Sequence, residues 1–126
     1  MVGFDYGSIY NSTAAGTDYS EVYKASTPFS TLKLRVVLSW DSTATCSNMG
    51  TGSASCSADS MDADLDLRVR RESDNHTWYS DTSGASYEYI QIDATAGETY
   101  DIIINVYSWT ATYTYFGLSW EIAAFP

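Results

Sequence analysis

The sequence predicts an all-β fold, an antiparallel β-sandwich or jelly roll, and three observations predict it. Apolar residues recur at every second position in five separate segments. The stretches between them are short and rich in turn formers, as antiparallel connections are. No stretch carries a 3.6-residue apolar stripe of helical length, so the pattern of elements is strands alone.

The elements follow in order. Residues 1–18 are weakly patterned, Gly-, Ser- and Tyr-bearing, and are expected to lie along the surface or to add an edge strand. "DYSEVYKAS" around Val22 reads as a further strand. In "TLKLRVVLSW" the residues Leu32, Leu34, Val36, Leu38 and Trp40 share one parity, while Lys33, Arg35 and Ser39 fall on the other. That alternation marks a central, half-buried strand. Residues 42–61 are expected to form a long polar loop, because Cys46 and Cys56 bracket "SNMGTGSAS", which has no apolar period.

A disulfide between these two cysteines would close a short loop and contribute about 2–3 kcal/mol, which suits an exposed, extracellular setting. Zinc is the weaker reading, since a structural site wants four Cys or His ligands and the chain offers two Cys and His76. Further strands are read from Leu65, Leu67 and Val69, from "HTWYSD" around Trp78, and from Ile90 and Ile92. Two more come from Ile102, Ile104 and Val106, and from Phe116, Leu118, Trp120 and Ile122.

A chain of 126 residues with 44% apolar and 15% aromatic content should fold as one domain around one core. Its net charge of −10 argues against partners that are themselves polyanions, such as nucleic acid or anionic lipid. Cations and neutral surfaces remain. No apolar run is long enough to span a membrane, and "MVGFDYGSIYNST" has no export signal, so the chain is read as beginning inside a longer protein. Asn11 and Asn75 stand in N-x-[ST] sequons, which matter only in a eukaryotic source.

The sharpest polar motif is "DADLD". Asp62, Asp64 and Asp66 put three carboxylates on one parity, and hard Ca²⁺ takes six to eight oxygens. The spacing matches the first three ligands of an EF-hand and then departs, with Leu67 where that loop needs Gly and Ser73 where it needs Glu. A calcium site would need completion from another loop, for example by Asp41 or Asp59. The alternative is a solvated strand face opposite Leu65 and Leu67.

Catalysis is not indicated. His76 lies in a polar turn and no G-x-S-x-G elbow is present. Asp64 and Asp66, roughly 7 Å apart from strand rise, have only the generic spacing of a carboxylate pair. Aromatic residues define the second candidate surface. Tyr87 and Tyr89 oppose the parity of Ile90 and Ile92, and Tyr113 and Tyr115 oppose Phe116 and Leu118, so all four should face outward. With Tyr107 and Trp109 of the "YSWTAT" turn they could stack on sugars, pack on an extended peptide, or meet a neighbouring domain.

The ordered pattern "VVLSWD" (Val36 to Asp41), "ADLDL" (Ala63 to Leu67), "AGETYDIIINVY" (Ala96 to Tyr107) and "FGL" (Phe116 to Leu118) resembles a known family. It is similar to the C-terminal β-jelly-roll domain of secreted subtilisin-like serine peptidases and, more loosely, to bacterial pre-peptidase C-terminal domains. The resemblance spans about residues 31–122. It implies a non-catalytic, secreted appendage that stabilises a catalytic peptidase domain in the same chain, binds calcium in several relatives, and engages protein or polysaccharide substrate. Two features depart from that pattern: the cysteine-bearing segment after Trp40, and Ala63 where an Asn often precedes D-L-D-L.

Overall fold

The computed structural model describes residues 2–27, 30–82 and 84–124, with side chains at residues 45 and 57–59 left aside. Eleven strands, and no helix, are found among them. A four-stranded antiparallel sheet has the order β1-β11-β4-β9, with β1 at Val2–Tyr10, β4 at Leu32–Trp40, β9 at Tyr87–Ala94 and β11 at Tyr113–Ala123. A second antiparallel sheet has the order β2-β10-β7-β8, with β2 at Thr17–Asp18, β7 at Ala63–Arg71, β8 at Thr77–Ser80 and β10 at Thr99–Trp109. The strand β3 (Tyr23–Ser26) also pairs with β10. The β-sandwich follows directly from the period-two patterning.

The core lies between the two sheets. Leu34, Val36, Leu38, Ile90, Ile92, Phe116 and Leu118 point inward from one sheet, and Leu65, Leu67, Val69, Ile102, Ile104 and Val106 from the other. Trp40 joins the layers: its indole Nε1 donates to the Ala63 carbonyl at 2.7 Å, which ties the end of β4 to the start of β7. The β9–β10 turn needs a left-handed residue, supplied by Gly97 at φ 80°, whose N–H donates to the Thr27 carbonyl.

One segment takes an expected form in an unexpected way, and another departs from expectation. The weakly patterned amino terminus is a nine-residue edge strand, and its apolar pattern is turned outward: Val2, Phe4 and Tyr6 are exposed. The inward positions Gly3 and Gly7 are small because aromatic rings of β11 lie against them. A Cβ on Gly3 would stand 2.1 Å from the Trp120 ring, and one on Gly7 would stand 3.3 Å from Phe116. The ring supplies the packing that the glycine lacks.

The segment 42–61 is not a loop throughout but a hairpin, β5 (Ser42–Ser47) with β6 (Ser55–Met61). Cys46 and Cys56 are direct cross-strand partners and are disulfide-bonded. Its polar residues gave no apolar alternation because this two-stranded sheet belongs to neither face of the core. No helix of the described residues is long and apolar enough to cross a membrane.

Candidate functional site

Two places concentrate chemistry. On β7, Leu65 and Leu67 are buried, so strand alternation turns Asp64 and Asp66 to the outer face of their sheet. There they line a cavity of about 240 Å³ with Asp81 and Tyr107. Burial and the neighbouring Asp81 charge push the Asp64 carboxyl upward from its ordinary value. Burial, Asp64 and Asp81 push Asp66 the same way, against the opposing pull of Arg68.

Glu88 on β9 belongs to this charge group. It has the parity of Ile90 and Ile92, is 1% exposed, and is pushed upward first by burial and then by Asp66 and Asp64. Ser80 Oγ donates to Glu88 Oε2. Glu88 Oε1 and Asp64 Oδ1 are buried without a hydrogen-bond partner. Carboxylate oxygens left so are costly unless something positive or protonated meets them.

The remaining aspartates of the motif do other work. Asp62 precedes β7 and is buried: Thr43 Oγ1 donates to its carboxylate, and its carbonyl accepts from Thr110 N at 3.0 Å and Ala111 N at 2.8 Å. It fastens the hairpin and the β10–β11 turn to β7, which takes it out of the expected metal set. Asp41 is not among the residues that line the cavity. It is exposed, its N–H donates to the Tyr115 carbonyl, and its charge acts on the Tyr115 hydroxyl. The Asp59 side chain lies outside the described residues.

Carboxylate oxygens such as those of Asp64, Asp66 and Asp81 are the donors that hard divalent cations take, and one of the partnerless oxygens, Asp64 Oδ1, is among them. Among the described residues no three His, Cys, Asp or Glu side chains are so arranged that they could hold a metal as they stand. Water and main-chain oxygens would have to supply the rest of a calcium shell. Sequence reasoning missed Asp81 and Glu88. Asp81 is a lone carboxylate in a turn and gave no signal, whereas Glu88 was visible as a charge at core parity in "YEYIQID".

The second place is the outer face of the four-stranded sheet. The strand register aligns its outward residues in rows: Tyr6–Gly117–Ser39–Tyr87, then Phe4–Ser119–Val37–Tyr89, then Val2–Glu121–Arg35–Gln91. Aromatic rings therefore stand on both outer strands, with Gly117, Ser119, Ser39 and Val37 between them. A hollow of about 200 Å³ continues this floor, lined by Val2, Arg35, Val37, Ser119, Trp120 and Glu121. At the other end Tyr10, Tyr113 and Tyr115 cluster, with ring centroids 5.6 Å and 5.4 Å apart in the two contacts.

Tyr87, Tyr89, Tyr113 and Tyr115 thus face outward together as expected, joined by Phe4, Tyr6 and Tyr10. Tyr107 and Trp109 do not join them. Tyr107 is exposed on the other sheet beside the acidic cavity. Trp109 is half-buried at the end of β10, packs on the core, and donates from Nε1 to the Thr13 carbonyl at 2.8 Å. Its bond to a distant loop makes it a structural anchor. His76 is exposed and packs edge-on to Trp78 with centroids 4.4 Å apart.

No protein-family model matches the chain, and no curated protein matches it. The likeness to peptidase-associated domains accordingly rests on the motifs quoted from the sequence.

Proposed function

We propose that the chain is a non-catalytic accessory domain of a secreted subtilisin-like peptidase and that it stabilises that enzyme through a calcium-dependent β-sandwich. The observation that carries the calcium part is the group Asp64, Asp66, Asp81 and Glu88: like charges are gathered, two of their oxygens are buried without partners, and their carboxyls are pushed upward. A bound cation would satisfy the oxygens and reverse the repulsion. Asp64, Asp66 and Asp81 would hold it, with Glu88 completing the field from the core side. The peptidase connection is supported by the resemblance in motif order, and the intramolecular disulfide is compatible with an extracellular location.

The test is thermal unfolding of the chain in EDTA and in millimolar Ca²⁺. An ion that binds only the folded state adds about 2.7 kcal/mol at a hundredfold excess over Kd. With an unfolding entropy of about 2.1 cal/mol/K per residue, that raises Tm by about 10 °C. The same rise should be absent from Asp64→Asn/Asp66→Asn. A wild-type Tm that is indifferent to both EDTA and Ca²⁺ removes calcium from the reading.

A further inference from the structure

The tyrosine cluster at the end of the four-stranded sheet holds two phenols in a geometry suited to covalent chemistry. Tyr10 ends β1 and Tyr113 begins β11, and the strand register sets them directly opposite each other. Cβ atoms of such cross-strand partners lie about 4.5–5.5 Å apart, so the backbone itself keeps the two rings side by side. Their centroids are 5.6 Å apart and their planes 35° apart. Tyr115 also meets Tyr113, at 5.4 Å, but with planes at 83° it turns an edge to a face. Tyr10 and Tyr113 are 55% and 41% exposed, which opens both phenols to a soluble oxidant and leaves the rings room to move.

We propose that Tyr10 and Tyr113 form an oxidative modification site, at which hydrogen peroxide and a haem peroxidase join the two rings as dityrosine. Each phenol gives up one electron and its hydroxyl proton, and the peroxide takes up the two electrons and two protons and leaves as two waters. The phenoxyl radicals couple through one carbon ortho to each oxygen, forming a single C–C bond. The hydrogens on those two carbons then pass through solvent to the oxygens, which restores two phenols. Three observations select this pair. A 35° tilt lies near the moderate twist of two rings joined by one bond, whereas the perpendicular contact of Tyr113 with Tyr115 does not. Both cysteines are held in the disulfide, so the chain carries no free thiol to consume the oxidant. A net charge of −10 keeps two copies of the chain apart, which favours coupling within a chain over coupling between chains. The bond ties the first strand to the last. It matters most for β1, which buries a single apolar side chain, Ile9, and so has little grip on the core of its own. It also closes a loop over most of the chain, and cross-links that close long loops remove the most freedom from the unfolded state.

The experiment treats the full chain at micromolar concentration with a haem peroxidase and an equivalent of hydrogen peroxide, then maps the product by proteolysis and mass spectrometry. The expected product is a monomer in which the peptides of Tyr10 and Tyr113 are joined and lighter by two hydrogen atoms. It should show dityrosine fluorescence and a Tm raised by about 5 °C or more. Tyr10→Phe and Tyr113→Phe keep a ring at each position and so the fold, and each should lose the intrachain product. Tyr107→Phe, on the opposite sheet, should give the wild-type yield, whereas treatment in concentrated urea should not join this pair. Absence of dityrosine in the folded chain overturns the proposal. So does coupling found only between chains, a bond mapped to Tyr113 and Tyr115 instead, an undiminished yield in Tyr10→Phe, or a linked monomer with unchanged Tm. None of these outcomes bears on the calcium reading, whose test uses chain that has met no oxidant.

Discussion

Replacing Trp40 by phenylalanine removes one hydrogen-bond donor and half of one ring system from the point where the two sheets meet. Trp40 is 5% exposed, and its Nε1 reaches the carbonyl of Ala63, itself 1% exposed. A buried carbonyl deprived of its donor costs about 1–3 kcal/mol. The lost ring volume adds about 1 kcal/mol as an incompletely filled space. The sum is about 2–4 kcal/mol. For a chain of this length the unfolding entropy is about 0.26 kcal/mol/K, so Tm should fall by about 8–15 °C. Circular dichroism melts at fixed calcium concentration read this directly, and urea titration should show a lower midpoint at unchanged slope. A fall below about 3 °C would refute the reasoning that the indole joins the layers. A fall equal to that of Trp78→Phe, at a half-buried position, would refute it equally.

Two further predictions rest on local geometry and on charge. Gly3→Ala places a Cβ 2.1 Å from the Trp120 ring and should cost about 1–3 kcal/mol, lowering Tm by about 4–11 °C with a change in tryptophan emission. Gly52→Ala, with nothing near its added Cβ, is the control and should leave Tm in place. In EDTA, stability should rise as pH falls from neutrality toward the ordinary carboxylate range, because Asp64, Asp66 and Glu88 have folded-state pKa values above their ordinary 3.8 and 4.5, and protonation relieves their penalty. Below about pH 4 the trend should reverse. Asp74, bound by Arg71, and Asp101, held down by Lys24 and Arg70 despite its burial, are depressed, and their stabilisation is lost as they protonate. A urea midpoint that, without metal, rises as pH is raised from just above the ordinary carboxylate range to neutrality would overturn the sign assigned to the carboxylate group.

Period-two alternation made β4, β7, β9 and β11 legible, because each buries chiefly one face and the parity of Leu34 or Leu65 records which; β10 was legible from Ile102, Ile104 and Val106 although both its faces are buried. The same rule left β1 open between a surface path and an edge strand. Its exposed positions include Val2, Phe4 and Tyr6, and two of the inward ones, Gly3 and Gly7, are covered by Trp120 and Phe116, a compensation that comes from another strand and leaves no local mark. The acidic site was half legible. Asp64 and Asp66 stand where the alternation puts them, but Asp62 shares their parity and is turned into a hydrogen-bonded anchor at the strand's start. Asp81 reaches the cavity through the β8 connection, so only tertiary structure could find it. The aromatic face was legible residue by residue on β9 and β11, while its second wall depended on knowing that the first strand pairs with the last.

That pairing also sets a timetable. β11 is the last strand in the chain, yet it stands inside its sheet between β1 and β4. At 5–20 residues per second, a ribosome needs roughly 5–20 s to travel from the end of β1 to the start of β11. Throughout that interval β1 has no strand to pair with, and β4 keeps one edge open. The segment with Val2, Phe4 and Tyr6 thus emerges before every other strand of its sheet and is among the last to be secured. Such sequence-distant closure makes for slow folding and gives chaperones or aggregation their opportunity at the unpaired β1.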